Sequence, residues 1–173
     1  MSKRLIAFYS RAGENYFSGE VRRVEKGNCE KLVKHIAEKV DADVFRIEME
    51  TPYSEDYLVC TEEAKADLDN GARPKLLNTQ ESIDEYDDII LVYPNYWGSI
   101  PMVLYTWGEH LNWTGKKVYP VCSSEGSGFG NTVSNLRKLC TGAKFVPGYT
   151  VNGSDIEKSG NLLNEWLEDA GLV

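Results

Sequence analysis

The sequence predicts a three-layer α/β fold, with five parallel strands in the order 2-1-3-4-5 and helices on both faces. Three observations carry the prediction. Strand-like apolar runs alternate with amphipathic stretches along the whole chain, the pattern of a sheet built from right-handed crossovers. The run Asp88–Tyr93 is continuously apolar in its centre, as strands covered on both faces are. The chain has 173 residues, the length of one domain able to bury roughly 70% of its unfolded surface.

The elements follow in order. Arg4–Tyr9 reads as a buried first strand. Tyr16–Lys26 is an insertion whose alternation around Gly19 predicts a small hairpin. Glu30–Val40 carries Leu32, Val33, Ile36, Ala37 and Val40, the spacing of a helix with one buried face. Val44–Ile47 is the second strand, and Ser54–Leu68 a charged helical excursion. Asp88–Tyr93 is the third strand, after an acidic turn, and Met102–Leu111 a helix that starts after Pro101. Lys117–Cys122 is the fourth strand, Asn131–Leu139 a helix, Phe145–Val151 an irregular fifth strand and Ile156–Ala170 the last helix. The whole of 1–173 is expected to form one domain.

The formal net charge is −8 and 27% of residues are charged. Such a surface repels nucleic acid and anionic membranes and favours basic protein partners. No window reaches the ~18 apolar residues of a membrane span, and Met1–Arg4 leads into a strand without a signal-peptide pattern. A cytoplasmic location is expected. Cys29, Cys60, Cys122 and Cys140 show no metal-ligand spacing and are expected to be reduced thiols. His35 and His110, the two histidines, read as helix-face residues. Trp107, Trp113 and Trp166 read as packing residues.

Chemistry concentrates in the loops after strands one, three and four. After strand one, Ser10-Arg11-Ala12 is split by the insertion from Gly27-Asn28-Cys29. A glycine with hydroxyl and amide donors before a helix N-terminus suits a phosphate; capping by Asn28 beside a structural glycine is the alternative. After strand three, Pro94-Asn95-Tyr96-Trp97-Gly98 puts two adjacent aromatics on a loop. They would cover a flat ligand or plug the top of the core. After strand four, Ser123-Ser124-Glu125-Gly126-Ser127-Gly128-Phe129-Gly130 offers backbone donors with little bulk, either for polar ring edges and a polyol or as a plain flexible connection. Three loops of complementary chemistry at one sheet edge favour a ligand, because doubly wound folds bind there.

These three loops, in order and spacing, resemble those of the flavodoxin family, including its FMN-reductase-like relatives, over nearly the whole chain. The resemblance implies a flavodoxin-like fold and non-covalent FMN. It places the phosphate near Ser10, Ala12, Asn28 and Cys29, and the ring system against Pro94, Asn95, Tyr96, Trp97 and Gly98. It places Ser123, Glu125, Gly126, Ser127 and Gly130 around the pyrimidine edge. Cys29 stands where the family usually has threonine, and Gly98 is a candidate for a mobile peptide beside the flavin N5.

The resemblance further implies a low-potential electron carrier between redox proteins, working with basic partners or a reductase. The alternative is an NAD(P)H-dependent FMN oxidoreductase acting on quinones, azo compounds or flavin. A phosphoacceptor domain would need aspartates at the strand ends, where Tyr9-Ser10 and Tyr93-Pro94 stand. A triad hydrolase would need a G-x-S-x-G elbow and a loop histidine. A pure interaction module stays open.

Overall fold

The structure is a computed structural model that describes residues 2–173. Its main sheet runs β4 (Asp43–Arg46), β1 (Arg4–Phe8), β5 (Asp88–Pro94), β6 (Lys117–Ser124), then β7 (Lys144–Phe145) and β8 (Tyr149–Asn152) side by side along β6. All pairings in this sheet are parallel. This is the expected order 2-1-3-4-5, with the fifth strand in two pieces.

The break in that strand has a local cause. Pro120 in β6 has no N–H to donate, and across from it stand Pro147 and Gly148. A side chain on Gly148 would lie 2.5 Å from the Pro120 carbonyl oxygen. The chain therefore passes this point in close contact but without ladder bonds, and resumes pairing at Val121↔Tyr149.

Alternation along the strands fills two cores. Leu5, Ala7, Ile89, Leu91 and Tyr93 face α3 (Val103–Gly108) and α4 (Thr132–Leu139), where Leu104, Trp107 and Leu136 pack. Ile6, Phe8, Ile90, Val92 and Val121 face α1 (Asn28–Lys39) and α5 (Gly160–Asp169) through Leu32, Ile36, Leu163 and Leu167. Trp107 and Trp113 are both buried and meet edge to face with centroids 5.6 Å apart. Trp166 donates to the Pro147 carbonyl.

Several helices differ from the sequence reading at their ends, and α3 stops at Gly108 instead of Leu111. The second begins at Tyr57, as α2 (Tyr57–Asp69), because Asp56 takes the Val59 N–H and so fixes the cap. The last is divided: a 3₁₀ turn over Gly153–Lys158 stops at Ser159, and α5 starts afresh at Gly160.

The insertion after β1 is a hairpin of β2 (Gly13–Phe17) and β3 (Glu20–Val24). Ser18 and Gly19, with φ of 47° and 93°, form its turn. Positive φ at both central residues is the geometry that joins tightly twisted strands. No helix among the described residues is long and apolar enough to cross a membrane.

Candidate functional site

The carboxyl ends of β1, β5 and β6 deliver their loops to one edge of the sheet. There they border a cavity of about 530 Å³, a size typical of small-molecule sites. From the loop after β5, Pro94, Asn95, Tyr96, Trp97 and Gly98 line it; from the loop after β6, Ser123, Ser124, Glu125 and Ser127. Arg11 and Asn28 come from the split first loop. Ser10, Ala12, Cys29, Gly126 and Gly130 lie in the same loops but do not line the cavity.

The first loop is drawn tight by a close approach. Gly27 caps α1 from a position where a β-carbon would lie 2.3 Å from Ser10 Oγ and 2.4 Å from the Arg11 carbonyl oxygen. The Ser10 hydroxyl accepts the Glu30 N–H at 3.1 Å, supplying the side-chain cap that Gly27 cannot. Asn28 and Cys29 hold the N–H groups that open the helix without a carbonyl one turn earlier. Arg11 donates to the carbonyls of Glu14, Ser54 and Glu55. Its Nε and the Asn28 Oδ1 are buried without a partner among the described residues.

Cys29 turns the other way. It is buried at 2% exposure on the α1 stripe with Leu32, Val33 and Ile36. Its thiol meets the Ser123 hydroxyl at 3.4 Å, and burial pushes it up to about 12. Any contact of Cys29 with a ligand in the cavity is therefore through its backbone N–H.

The loop after β5 forms a tight turn. Tyr96 and Ser99 exchange backbone hydrogen bonds of 2.9 and 3.0 Å around Trp97 and Gly98, whose φ values are 57° and 79°. Asn95 pins the turn to the loop after β6. Its Oδ1 accepts the Gly98 N–H at 2.8 Å and its Nδ2 donates to the Gly128 carbonyl at 2.9 Å. The Gly98 carbonyl in turn accepts the Asn131 N–H. Both peptides of Gly98 are thus engaged. Turning the Trp97–Gly98 peptide would place Trp97 in the conformation that a mirror-type turn reserves for glycine.

The two aromatics take different roles. Tyr96 is half-buried with its ring edge-on to buried Tyr9, and burial raises its phenol well above the ordinary value. Trp97 is 54% exposed, with its indole N–H donated to the Thr61 carbonyl at 2.9 Å. A side chain on Gly98, Gly126 or Gly128 would meet no atom within 4 Å, so these glycines face open space.

A further wall escapes the loop-by-loop reading. Cys60, Thr61 and Ala64 on α2 line the cavity, joined by Tyr57 and by Asn15 and Tyr16 of the hairpin. Tyr16 and Tyr57 stack at 6.0 Å and 26°. Burial raises the Cys60 thiol and the Tyr57 phenol. The signal within reach was the tyrosine-rich segment Pro52–Tyr57 that leads into α2.

The parts fit FMN in kind. Helix amides, the Ser10 loop and the unpartnered Arg11 Nε suit a phosphate. Flat aromatics suit a ring system, and a glycine-lined loop suits polar edges. The fold and this site define a flavin-binding α/β protein of the doubly wound class. The chain belongs to the flavodoxin family, whose family model matches residues 15–170; FMN is that family's cofactor.

Solved structures share the fold. A candidate flavoprotein from Bacteroides eggerthii superposes at TM-score 0.77 with 21% identity over all of both chains. A flavoprotein from Lactobacillus acidophilus, solved in complex with FMN, gives 0.59 and 18% over 91% of this chain and 98% of its own. Oxidised flavodoxin 1 from Bacillus cereus gives 0.53 and 20% over 96% and 98%. No curated protein sequence matches this one.

Proposed function

We propose that the cavity holds FMN and that the protein carries electrons singly between redox proteins. The observation that supports carriage is how the polar side chains of the cavity wall are engaged by the protein. Arg11 and Glu125 are both held by protein contacts, and Arg11 keeps its Nε unpartnered. Arg11 holds three backbone carbonyls. Glu125 accepts from Ser18 and Ser154. Burial raises the Cys60 thiol and the Tyr57 phenol further above their ordinary values. The guanidinium and the carboxylate of the wall are therefore used to hold the protein together, and the wall serves to bind and orient.

Bound FMN supplies the redox chemistry, and the chain sets its surroundings. Arg11, Asn28 and the first amides of α1 would hold the phosphate. Tyr96 and Trp97 would lie against the ring. The half-exposed Trp97 marks the side on which a partner approaches, and the net charge of −8 favours a basic one.

The stacked Tyr16–Tyr57 pair at the rim favours one second reading. It would give a planar acceptor a platform beside the flavin, as an NAD(P)H-dependent oxidoreductase requires. An anaerobic absorbance experiment on FMN-loaded protein separates the two. Carriage predicts that NADH and NADPH leave the flavin oxidised and that dithionite reduces it in two resolved one-electron steps. Rapid bleaching by either nucleotide in a single two-electron step supports the oxidoreductase instead.

A further inference from the structure

The β2–β3 hairpin is fastened at both ends across the cavity. At its root, Arg11 ties the Glu14 carbonyl to those of Ser54 and Glu55. The Glu14 side chain accepts the Tyr57 N–H at 3.0 Å, and Tyr16 stacks on Tyr57. At its tip, the Ser18 N–H donates to Glu125 Oε2 at 3.2 Å. The same carboxylate accepts the Ser154 N–H at 2.8 Å and the Ser154 hydroxyl at 3.1 Å. The Ser18 and Ser154 hydroxyls lie 3.0 Å apart. Between these fastenings Asn15 and Tyr16 line the cavity, with Glu125 on the loop after β6.

We propose that Glu125 is a positioning residue that latches the hairpin tip over the cavity, so that ligand enters and leaves when this latch opens. The two ends differ in strength. The root joins several elements through a guanidinium, a carboxylate and an aromatic stack. The polar ties of the tip are one carboxylate and one hydroxyl pair, at exposed atoms, beside the buried Phe17. A two-stranded hairpin has little stability of its own, and that carboxylate is the tie that joins the tip to the loop after β6. The sequence expectation had Glu125 meet a ligand's pyrimidine edge; here its oxygens already take three donors from the hairpin tip and the 3₁₀ turn. The inference rests on the reading that the cavity holds FMN.

A reversible lock tests it. The variant Ser18→Cys/Ser154→Cys replaces the facing hydroxyls with thiols able to bridge. With the disulfide formed, FMN uptake and release, followed by flavin fluorescence in stopped flow, are expected to slow at least tenfold. Affinity stays within about twofold, and reductant restores both rates. Exchange at the unlocked rate in the bridged protein overturns the latch. A second arm needs no ligand. Glu125→Ala is expected to speed amide hydrogen exchange at the hairpin tip at least tenfold, leave β1 and β5 unchanged, and be partly rescued by Glu125→Gln. Unchanged protection at the tip overturns the latch. Failure of the unlocked protein to take up FMN removes the cofactor reading, and the exchange arm then decides the latch alone.

Discussion

Replacing Trp97 by alanine removes the aromatic surface that the loop after β5 holds out to a ligand. A tryptophan presents about 250 Å² in all, so the 54% exposed in Trp97 amounts to about 135 Å². A flat ring lying on one face would cover about half of that, ~70 Å², contributing ~1.7 kcal/mol at ~25 cal/mol per Å². Ring–ring contact adds ~0.5–1.5 kcal/mol. Together Trp97→Ala is expected to weaken FMN binding by about 2–3 kcal/mol, roughly 30- to 150-fold. The ligand-free protein should lose far less. The substitution removes one hydrogen bond to the Thr61 carbonyl, a change of about 0.5–1.5 kcal/mol. Fluorescence titration with FMN gives the first quantity and urea denaturation the second. An FMN affinity within threefold of the parent would remove Trp97 from the site and refute the reasoning.

Four further expectations come from the same geometry. Asn95→Ala frees the Gly98 N–H and the Gly128 carbonyl together, so stability should fall by about 1–3 kcal/mol and FMN affinity should fall with it; a drop in neither contradicts the pinned turn. Gly27→Ala drives a β-carbon into the Ser10 hydroxyl and the Arg11 carbonyl, so about 1–3 kcal/mol of stability should be lost; a chemical melt with an unchanged midpoint would disprove the close approach. Cys29 holds its proton up to about 12 when folded, against an ordinary value of 9.0, so the folded state binds more protons in that window. Its contribution is full below pH 9 and declines as pH rises from there, at up to ~1.4 kcal/mol per pH unit. Denaturation midpoints at pH 8 and pH 10 test this, and equal values count against it. Cys29→Ser, which keeps a hydroxyl facing Ser123, should leave FMN affinity within about twofold.

Much of this was legible in the residues. Continuous apolar runs such as Ile89–Tyr93 mark strands that have helices on both sides, and that alone fixes the layers. The Ser18-Gly19 turn is legible because adjacent small residues between alternating strands admit positive φ. The aromatic pair Tyr96-Trp97 is legible because large rings on a loop need something to cover. Cys29 could have been placed by its spacing: three and four residues before Leu32 and Val33, it continues the buried stripe of α1 and faces away from the cavity.

What stayed hidden depends on distant pairs. Arg11 reaches Ser54 and Glu55, some forty residues on, and no local pattern announces that. Glu125 meets Ser18 across 107 positions, so its place in a glycine-serine loop suggested a ligand contact. The wall from α2 was hidden for another reason. Cys60 and Ala64 are its buried residues, too few for a strong amphipathic stripe, and Leu58 and Val59 stand exposed beside them. The division at Ser159 was masked because Ile156 to Ala170 keeps a helical period across it.

The most direct test of the central claim compares FMN with riboflavin on ligand-free protein, because the two differ only in the phosphate. The account predicts one FMN per chain, with fluorescence quenched by the flanking aromatics. Riboflavin should bind at least about tenfold more weakly, since it lacks the group that Arg11, Asn28 and the α1 amides would hold. Equal binding of the two would contradict the phosphate site, and no uptake of either would contradict the claim itself.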